Sequence, residues 1–204
     1  MRFIYGTNNP AKLTSMAEML SGLPLEILSL ADAPGPAPTI DESGNDPLHN
    51  AQIKALGYYQ AYNMPVFSCD SGLYIEGLPD KEQPGVHVRR VNGQDLSDAQ
   101  MMAHYAAIAR RLGGKCFANY QNAISLVLSP NEIISYAGDD ISGERFLLTD
   151  APHSQQRPGF PLDSLSVQIQ SGRYYYDLPK TRLVSSTQAG FRAFFCRVLQ
   201  MIQG

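Results

Sequence analysis

Three short stretches of this sequence place charged side chains where they can do chemistry: Lys12 in Thr7-Asn8-Asn9-Pro10-Ala11-Lys12, Glu42 in Asp41-Glu42-Ser43-Gly44, and Asp70 in Ser68-Cys69-Asp70-Ser71-Gly72-Leu73. The run Met64 to Cys69 is short, largely apolar and opened next to a proline, the pattern of a buried strand, and Ser71-Gly72 is expected to end it. A carboxylate at a strand end of an open α/β sheet lies where ligands bind, which makes Asp70 a candidate metal or water ligand. The same aspartate can simply bond its own backbone in a turn, and on these residues alone that reading is the stronger. Lys12 falls in the first turn of an expected helix. Such a terminus offers unpaired backbone N–H groups and the positive end of the helix dipole, an anion site to which Lys12 adds a full charge. A capped helix start with a solvated lysine explains the stretch equally well, and the glycine spacing of a P-loop is absent.

The elements that must position these groups follow from periodicity and punctuation. Arg2 to Tyr5 reads as a strand and Lys12 to Leu20 as a helix, with Leu13, Met16, Ala17 and Leu20 on one face and Gly22 just beyond. Leu25 to Leu30 is a second short strand, and Ala33 to Pro38 is a proline-rich extended connection. Asp46 to Tyr62 is a helix with an Asp46 cap and Pro47 at its first position. Asn50 and Lys54, four apart, share one side of it, which faces a site or water. After a loop from Leu78 to Gly85 come His87, Arg89 and Arg90; Arg90 can hold a phosphate or form a solvated edge. Ser97-Asp98-Ala99 opens a helix that Gly113-Gly114 ends. Cys116 to Leu128 and Glu132 to Ala137 form a hairpin, Phe146 to Leu148 and the aromatic Tyr174 to Leu178 are strand candidates, and Gln188 to Ile202 is a closing helix. His153 to Phe160 is a long polar loop, a length that is often functional.

Composition bounds the answer. With 204 residues and 44% hydrophobic content the chain can bury a sizeable core. The net charge of -3, with both signs interspersed, provides no field for holding nucleic acid by its phosphates. Three scattered cysteines, Cys69, Cys116 and Cys196, suit neither a disulfide framework nor a zinc site and fit a reducing cytoplasm. No secretory leader and no apolar run of membrane-spanning length is expected.

In order and spacing, the local pieces resemble the inosine-triphosphate pyrophosphatase family, which hydrolyses non-canonical purine nucleoside triphosphates to the monophosphate and pyrophosphate. The resemblance lies in Thr7 to Leu13 for the family's Thr/Ser-x-Asn-x-x-Lys loop, and in Glu42-Ser43-Gly44 with Asn50-Ala51 and Lys54 for its Glu-Thr-Gly…Glu-Asn-Ala…Lys segment. It continues in Asp70-Ser71-Gly72-Leu73 for Asp-Asp-Ser-Gly-Leu, and in Pro84-Gly85-Val86 with Arg90 for Pro-Gly-Val-Tyr-Ser-Ala-Arg. It implies one α/β domain over 1–204, elongated and two-lobed, with a long mixed sheet flanked by helices, an active-site cleft between the lobes, and a cytoplasmic homodimer. It also implies Mg²⁺ held by Asp70 and Glu42, with Asp70 orienting or deprotonating the attacking water. Lys12 would neutralise charge growing on the phosphate oxygens, and Thr7, Asn8, Asn9, Ser71, Arg90, Phe160, Asp163 and Lys180 would contact the substrate.

The second half departs from that pattern. Gly159-Phe160-Pro161-Leu162-Asp163-Ser164 stands for Gly-Phe-Gly-Tyr-Asp-Pro, and Val184-Ser185-Ser186 for the Ser-His-Arg that helps to recognise the 6-keto purine in the family. Near the metal, Cys69 replaces the first Asp of Asp-Asp-Ser-Gly and His49 the Glu before Asn-Ala. Two alternatives follow from these losses: a nucleotide-binding protein with weakened catalysis, or a pyrophosphohydrolase for a different modified nucleotide.

Overall fold

A computed structural model describes residues 1–179 and 186–203. In chain order the strands and α-helices are β1 (Arg2–Tyr5), α1 (Pro10–Met19), β2 (Glu26–Leu28), α2 (Pro47–Tyr62), β3 (Val66–Ile75), β4 (Arg90–Val91), β5 (Gln94–Asp95), α3 (Asp98–Arg111), β6 (Lys115–Ser129), β7 (Glu132–Tyr136), β8 (Phe146–Thr149), β9 (Ser166–Val167) and α4 (Ser186–Gln203). They build an α/β fold with a seven-stranded mixed sheet and a separate β4–β5 pair. The chain divides into two compact units. Unit 1 holds Met1–Ser71, Gln121–Gly143 and the described part of Val184–Gly204; unit 2 holds Gly72–Tyr120 and the described part of Glu144–Leu183.

Unit 1 is a sheet segment buried on both faces. β1 pairs in parallel with β2 on one side and β3 on the other, while the Gln121–Ser129 half of β6 takes β7 as an antiparallel partner. Because successive strand residues point to opposite faces, Phe3, Tyr5, Phe67 and Cys69 pack with Met16 of α1, with Leu20 just beyond its end, and with Phe191, Phe194, Phe195 and Val198 of α4. Ile4 and Val66 point the other way, onto Leu30 and onto Tyr58 and Tyr62 of α2. The expected caps are present. Asp46 accepts the His49 N–H at 2.9 Å with Pro47 next in the chain, so α2 starts where its sequence says it should.

Unit 2 packs Leu73 and Ile75 of β3, Cys116 and Ala118 of β6, and Phe146 and Leu148 of β8 with Met101, Tyr105 and Ala109 of α3 and with Leu162 and Leu165. Ser97 and Gln100 close a capping box at the start of α3.

Two expectations are corrected here, and one unexpected hairpin is present. β3 does not stop at Asp70 but runs on through Ser71 and Gly72 to Ile75. Gly72 is in the strand as a point of close approach: a Cβ there would come within 3.0 Å of the Tyr74 ring and 3.3 Å of the Gly85 backbone. Beside it, Leu73 exchanges both backbone hydrogen bonds with Gly85. Tyr174 to Leu178 is not a strand; Tyr174 bridges Val167, and Tyr175–Asp177 turns into a 3₁₀ helix. Asn92-Gly93, both at positive φ, turns the β4–β5 hairpin, which the sequence reading passed over.

Candidate active site

The strand alternation that buries Phe67 and Cys69 toward α1 and α4 sends Ser68 and Asp70 to the opposite face, the one α2 covers. There Lys54, on the third turn of α2, donates to Asp70 Oδ1 at 2.8 Å and to Glu42 Oε2 at 3.2 Å. Lys54 and Asp70 are both nearly sealed from solvent, with side chains 10% and 11% exposed. Asn50, one turn earlier on the same helix, accepts the Gly44 N–H on its Oδ1 at 2.8 Å, and a Cβ on Gly44 would lie 2.5 Å from that oxygen. Glu42 is therefore placed from two sides: its carboxylate by Lys54, and its backbone two residues on by Asn50. The shared side of Asn50 and Lys54 is buried against these acids and is not a solvated face.

Burial alone would lower the pKa of Lys54, but the Asp70 and Glu42 charges outweigh it and the pKa ends above the ordinary lysine value. Lys12 goes the other way. Burial and the nearby Lys54 ammonium lower it, against the pull of Asp70 and Glu42. A lysine in that state gains most when further negative charge arrives, which is what a polyphosphate brings. Gly6 lets the chain leave β1 at this point, since a Cβ would meet Ser68 Oγ at 2.2 Å and the Tyr58 ring at 2.6 Å.

The loop before α1 differs from the expectation in one respect. Its N–H groups are not a vacant row: Thr7 N–H donates to Tyr5 O at 2.8 Å, Asn9 N–H to Thr7 Oγ1 at 3.2 Å, and Ala11 and Lys12 N–H to Asn9 Oδ1 at 2.9 and 3.3 Å. Asn9 caps its own helix, so anion attraction there falls mainly to the Lys12 side chain and the helix dipole. The Asn8 side chain lies beside the Tyr58 hydroxyl. Ser71, next to Asp70, is half-buried.

Of the expected substrate contacts, Arg90, Phe160 and Asp163 belong to unit 2, and Lys180 lies outside the described residues. Arg90 pairs through Nε with Asp95 Oδ1 at 2.9 Å, across its hairpin. Phe160 carries the Arg157 guanidinium 4.5 Å above its ring. Asp163 sits in a 3₁₀ turn where burial, partly offset by Arg157, pushes its carboxyl up to about 6.

A model of the Ham1 family matches residues 3–160, well over half of the chain. The chain belongs to the Ham1 family. A dITP/XTP pyrophosphatase of Exiguobacterium sp. is 32% identical over 140 residues, 68% of this chain and 68% of that protein. One from Geobacter sulfurreducens is 37% identical over 97 residues, 48% of this chain and 47% of that one. Most of these curated relatives are thus matched over about half their length. The HAM1 protein from Coxiella burnetii has the same fold, with a TM-score of 0.74 at 20% identity over 98% of this chain and 99% of that one; the Staphylococcus aureus Ham1 protein gives 0.71 at 17% over the whole of both. The family match ends at Phe160, inside the Gly159 to Ser164 segment that departs from the family's motif.

The residues of this Ham1 site fit a hard divalent cation. Asp70 Oδ2 is buried and has no hydrogen-bond partner among the described atoms, an orphaned carboxylate oxygen that a cation would satisfy. Glu42 shares the same lysine and is half exposed, with its side chain 50% accessible. No group of three or more His, Cys, Asp or Glu side chains capable of holding a metal occurs among the described residues, and Asp70 and Glu42 are two carboxylates joined by Lys54. That suits an ion that keeps several waters and takes phosphate oxygens from its substrate. Lys54, which ties the two acids together, was not among the expected site residues; its signal was the four-residue spacing from Asn50 on a helix beside a lone aspartate.

Proposed function

We propose that this protein hydrolyses non-canonical purine nucleoside triphosphates at the α–β anhydride bond, giving the nucleoside monophosphate and pyrophosphate. The observation that carries this reading is Asp70, a buried carboxylate with one oxygen on Lys54 and the other unpartnered. The names of the family relatives, dITP/XTP pyrophosphatases, supply the substrate class.

In this reading Asp70 and Glu42 would hold Mg²⁺, which when bound would neutralise phosphate charge and make pyrophosphate a better leaving group. Asp70 orients or deprotonates the attacking water. Lys54 holds Asp70 Oδ1 in place, so the orientation of the carboxylate costs no reorganisation. Lys12 carries the charge that grows on the departing pyrophosphate oxygens. Thr7, Asn8, Asn9 and Ser71 line the phosphate end in unit 1; Arg90, Phe160, Asp163 and Lys180 are assigned to the rest of the substrate, with Phe160 stacking on the base. Both units act as one catalytic domain, in a homodimer located in the cytoplasm; these last assignments rest on the family resemblance.

Pyrophosphate release with Mg²⁺ across inosine, xanthosine and ordinary purine and pyrimidine triphosphates tests the proposal. Turnover is expected with inosine or xanthosine triphosphate. A second reading, a nucleotide-binding protein with weakened catalysis, is favoured by the short ligand set and by Cys69 and His49, where the family has acids. It wins if no triphosphate is cleaved while inosine triphosphate still raises the melting temperature.

A further inference from the structure

In unit 2, one carboxylate of α3 is bonded to two segments that the proposed function uses. Asp98 Oδ1 accepts Arg89 Nη2 at 2.7 Å, and its Oδ2 accepts the backbone N–H of Gly159 at 2.9 Å. The second bond is made to a turn of defined geometry. Phe160 N–H donates to Arg157 O at 3.0 Å, Pro158 follows Arg157, and Gly159 has a φ of 82°, the arrangement of a type II turn with Pro at its second position and Gly at its third. The same turn brings the Arg157 guanidinium 4.5 Å above the Phe160 ring. On the other side, Arg89 Nη1 donates to Leu96 O at 2.8 Å and Arg89 O accepts Leu96 N–H at 2.8 Å, which closes the base of the hairpin carrying Arg90. Where this chain has Arg89, the family motif quoted above has alanine, so the Arg89 half of the clamp is a property of this chain.

We infer that Asp98 is a positioning residue for the base end of the substrate, fixing the Arg157–Phe160 turn and, through Arg89, the Arg90 hairpin on the first turn of α3. The inference rests on the proposed stacking of Phe160 on the base. A type II turn can rock about its ends, and a ring on its last residue moves with it. A carboxylate that takes the Gly159 N–H from a capped helix removes that freedom. The Asp98 carboxyl is held below its ordinary range by the Gly159 N–H and by Arg89, in agreement with an ionised clamp.

A double-mutant cycle on pyrophosphate release from inosine triphosphate, with melting temperatures recorded, tests it. Asp98→Ala is expected to raise KM about fivefold while changing kcat by less than about twofold, because the phosphate end is untouched. Phe160→Ala is expected to raise KM at least as much, and adding Asp98→Ala to it is expected to raise KM no further. Asp98→Asn, which keeps an acceptor and the helix start, is expected to fall between wild type and Asp98→Ala and serves if the alanine variant does not fold. If Phe160→Ala raises KM but Asp98→Ala and Asp98→Asn do not, or if the effects multiply in the double variant, the clamp is overturned and the stacking stands. If Phe160→Ala leaves KM unchanged, the stacking itself fails and the inference with it.

Discussion

The two units hold their charges in different ways. In unit 1 the Lys54–Asp70 pair is buried, with side chains 10% and 11% exposed, whereas in unit 2 the Arg89–Asp98 pair is 42% and 38% exposed. Breaking a buried pair leaves an uncompensated charge and costs roughly 3–5 kcal/mol, while an exposed pair is worth about 0–1 kcal/mol. A cluster built on buried charge tolerates few changes, whereas half-exposed contacts such as those of unit 2 can be rewritten at lower cost.

The sharpest way to break that contrast is at Asp70. Asp70→Asn keeps the shape and an acceptor for Lys54 but removes the base and a full ligand charge. A loss of about 10²–10⁴-fold in kcat is expected, with the fold retained. Pyrophosphate release and circular dichroism check it; undiminished turnover would move the general base elsewhere.

Lys54→Met acts next, on stability as well as rate. It strands Asp70 among buried groups, and a loss of roughly 3–5 kcal/mol in urea unfolding is expected. Adding Asp70→Asn should return part of that loss, since the stranded charge is gone. In the wild type, the folded-state pKa of Lys54 is raised, so its contribution to stability is fully present below the unfolded value of about 10.4 and is lost as pH rises through the higher folded value. Loss of stability at neutral pH in the wild type, absent from Lys54→Met, would contradict this.

How much of this was legible depended on whether a residue's role was local. Asp46-Pro47, Ser97 with Gln100, and the apolar stripes of the helices announce their elements, because caps and one-face periodicity are written in consecutive residues. Asp70 was found by type and neighbourhood, yet its position was misread: Ser71-Gly72 looks like a break, and only the close approach of Tyr74 and Gly85 shows why glycine belongs inside β3. Lys54 was visible as half of an i, i+4 pair, but its partners are 12 and 16 residues away. The capping role of Asn9 was invisible for the opposite reason, since a polar loop with free N–H groups and one that satisfies its own read alike. Asp98, 61 residues from Gly159, had no sequence signal beyond its place at a helix start.

Asp163 sharpens the comparison from the unit 2 side. Its carboxyl is raised to about 6, chiefly by burial. The folded state therefore keeps a proton that the unfolded carboxylate, at about 3.9, releases, so stability falls as pH rises from about 4 to about 6 and the penalty is complete above that. Asp163→Asn removes the penalty. It should match wild type near pH 4 and exceed it by up to about 3 kcal/mol at pH 8. Equal stability across that range would show that Asp163 is better solvated, or better paired, than its surroundings suggest.

The smallest effect is expected at Cys69, beside Asp70 in sequence but on the opposite face of β3. Its side chain packs with Tyr5 and Phe67 in the core shared with α1 and α4, and burial pushes the thiol up to about 12. At neutral pH almost no thiolate exists to attack phosphorus or to bind a cation, so proximity to the site gives it no part in the chemistry. Cys69→Ala should leave kcat within about twofold of wild type and cost about 1 kcal/mol of stability for the small cavity. The contrast with Asp70→Asn one position away tests the strand alternation itself: neighbours on opposite faces of a buried strand should differ by orders of magnitude in rate. A comparable loss at both positions would mean that β3 presents Cys69 to the substrate, and the assignment of faces would have to be reversed.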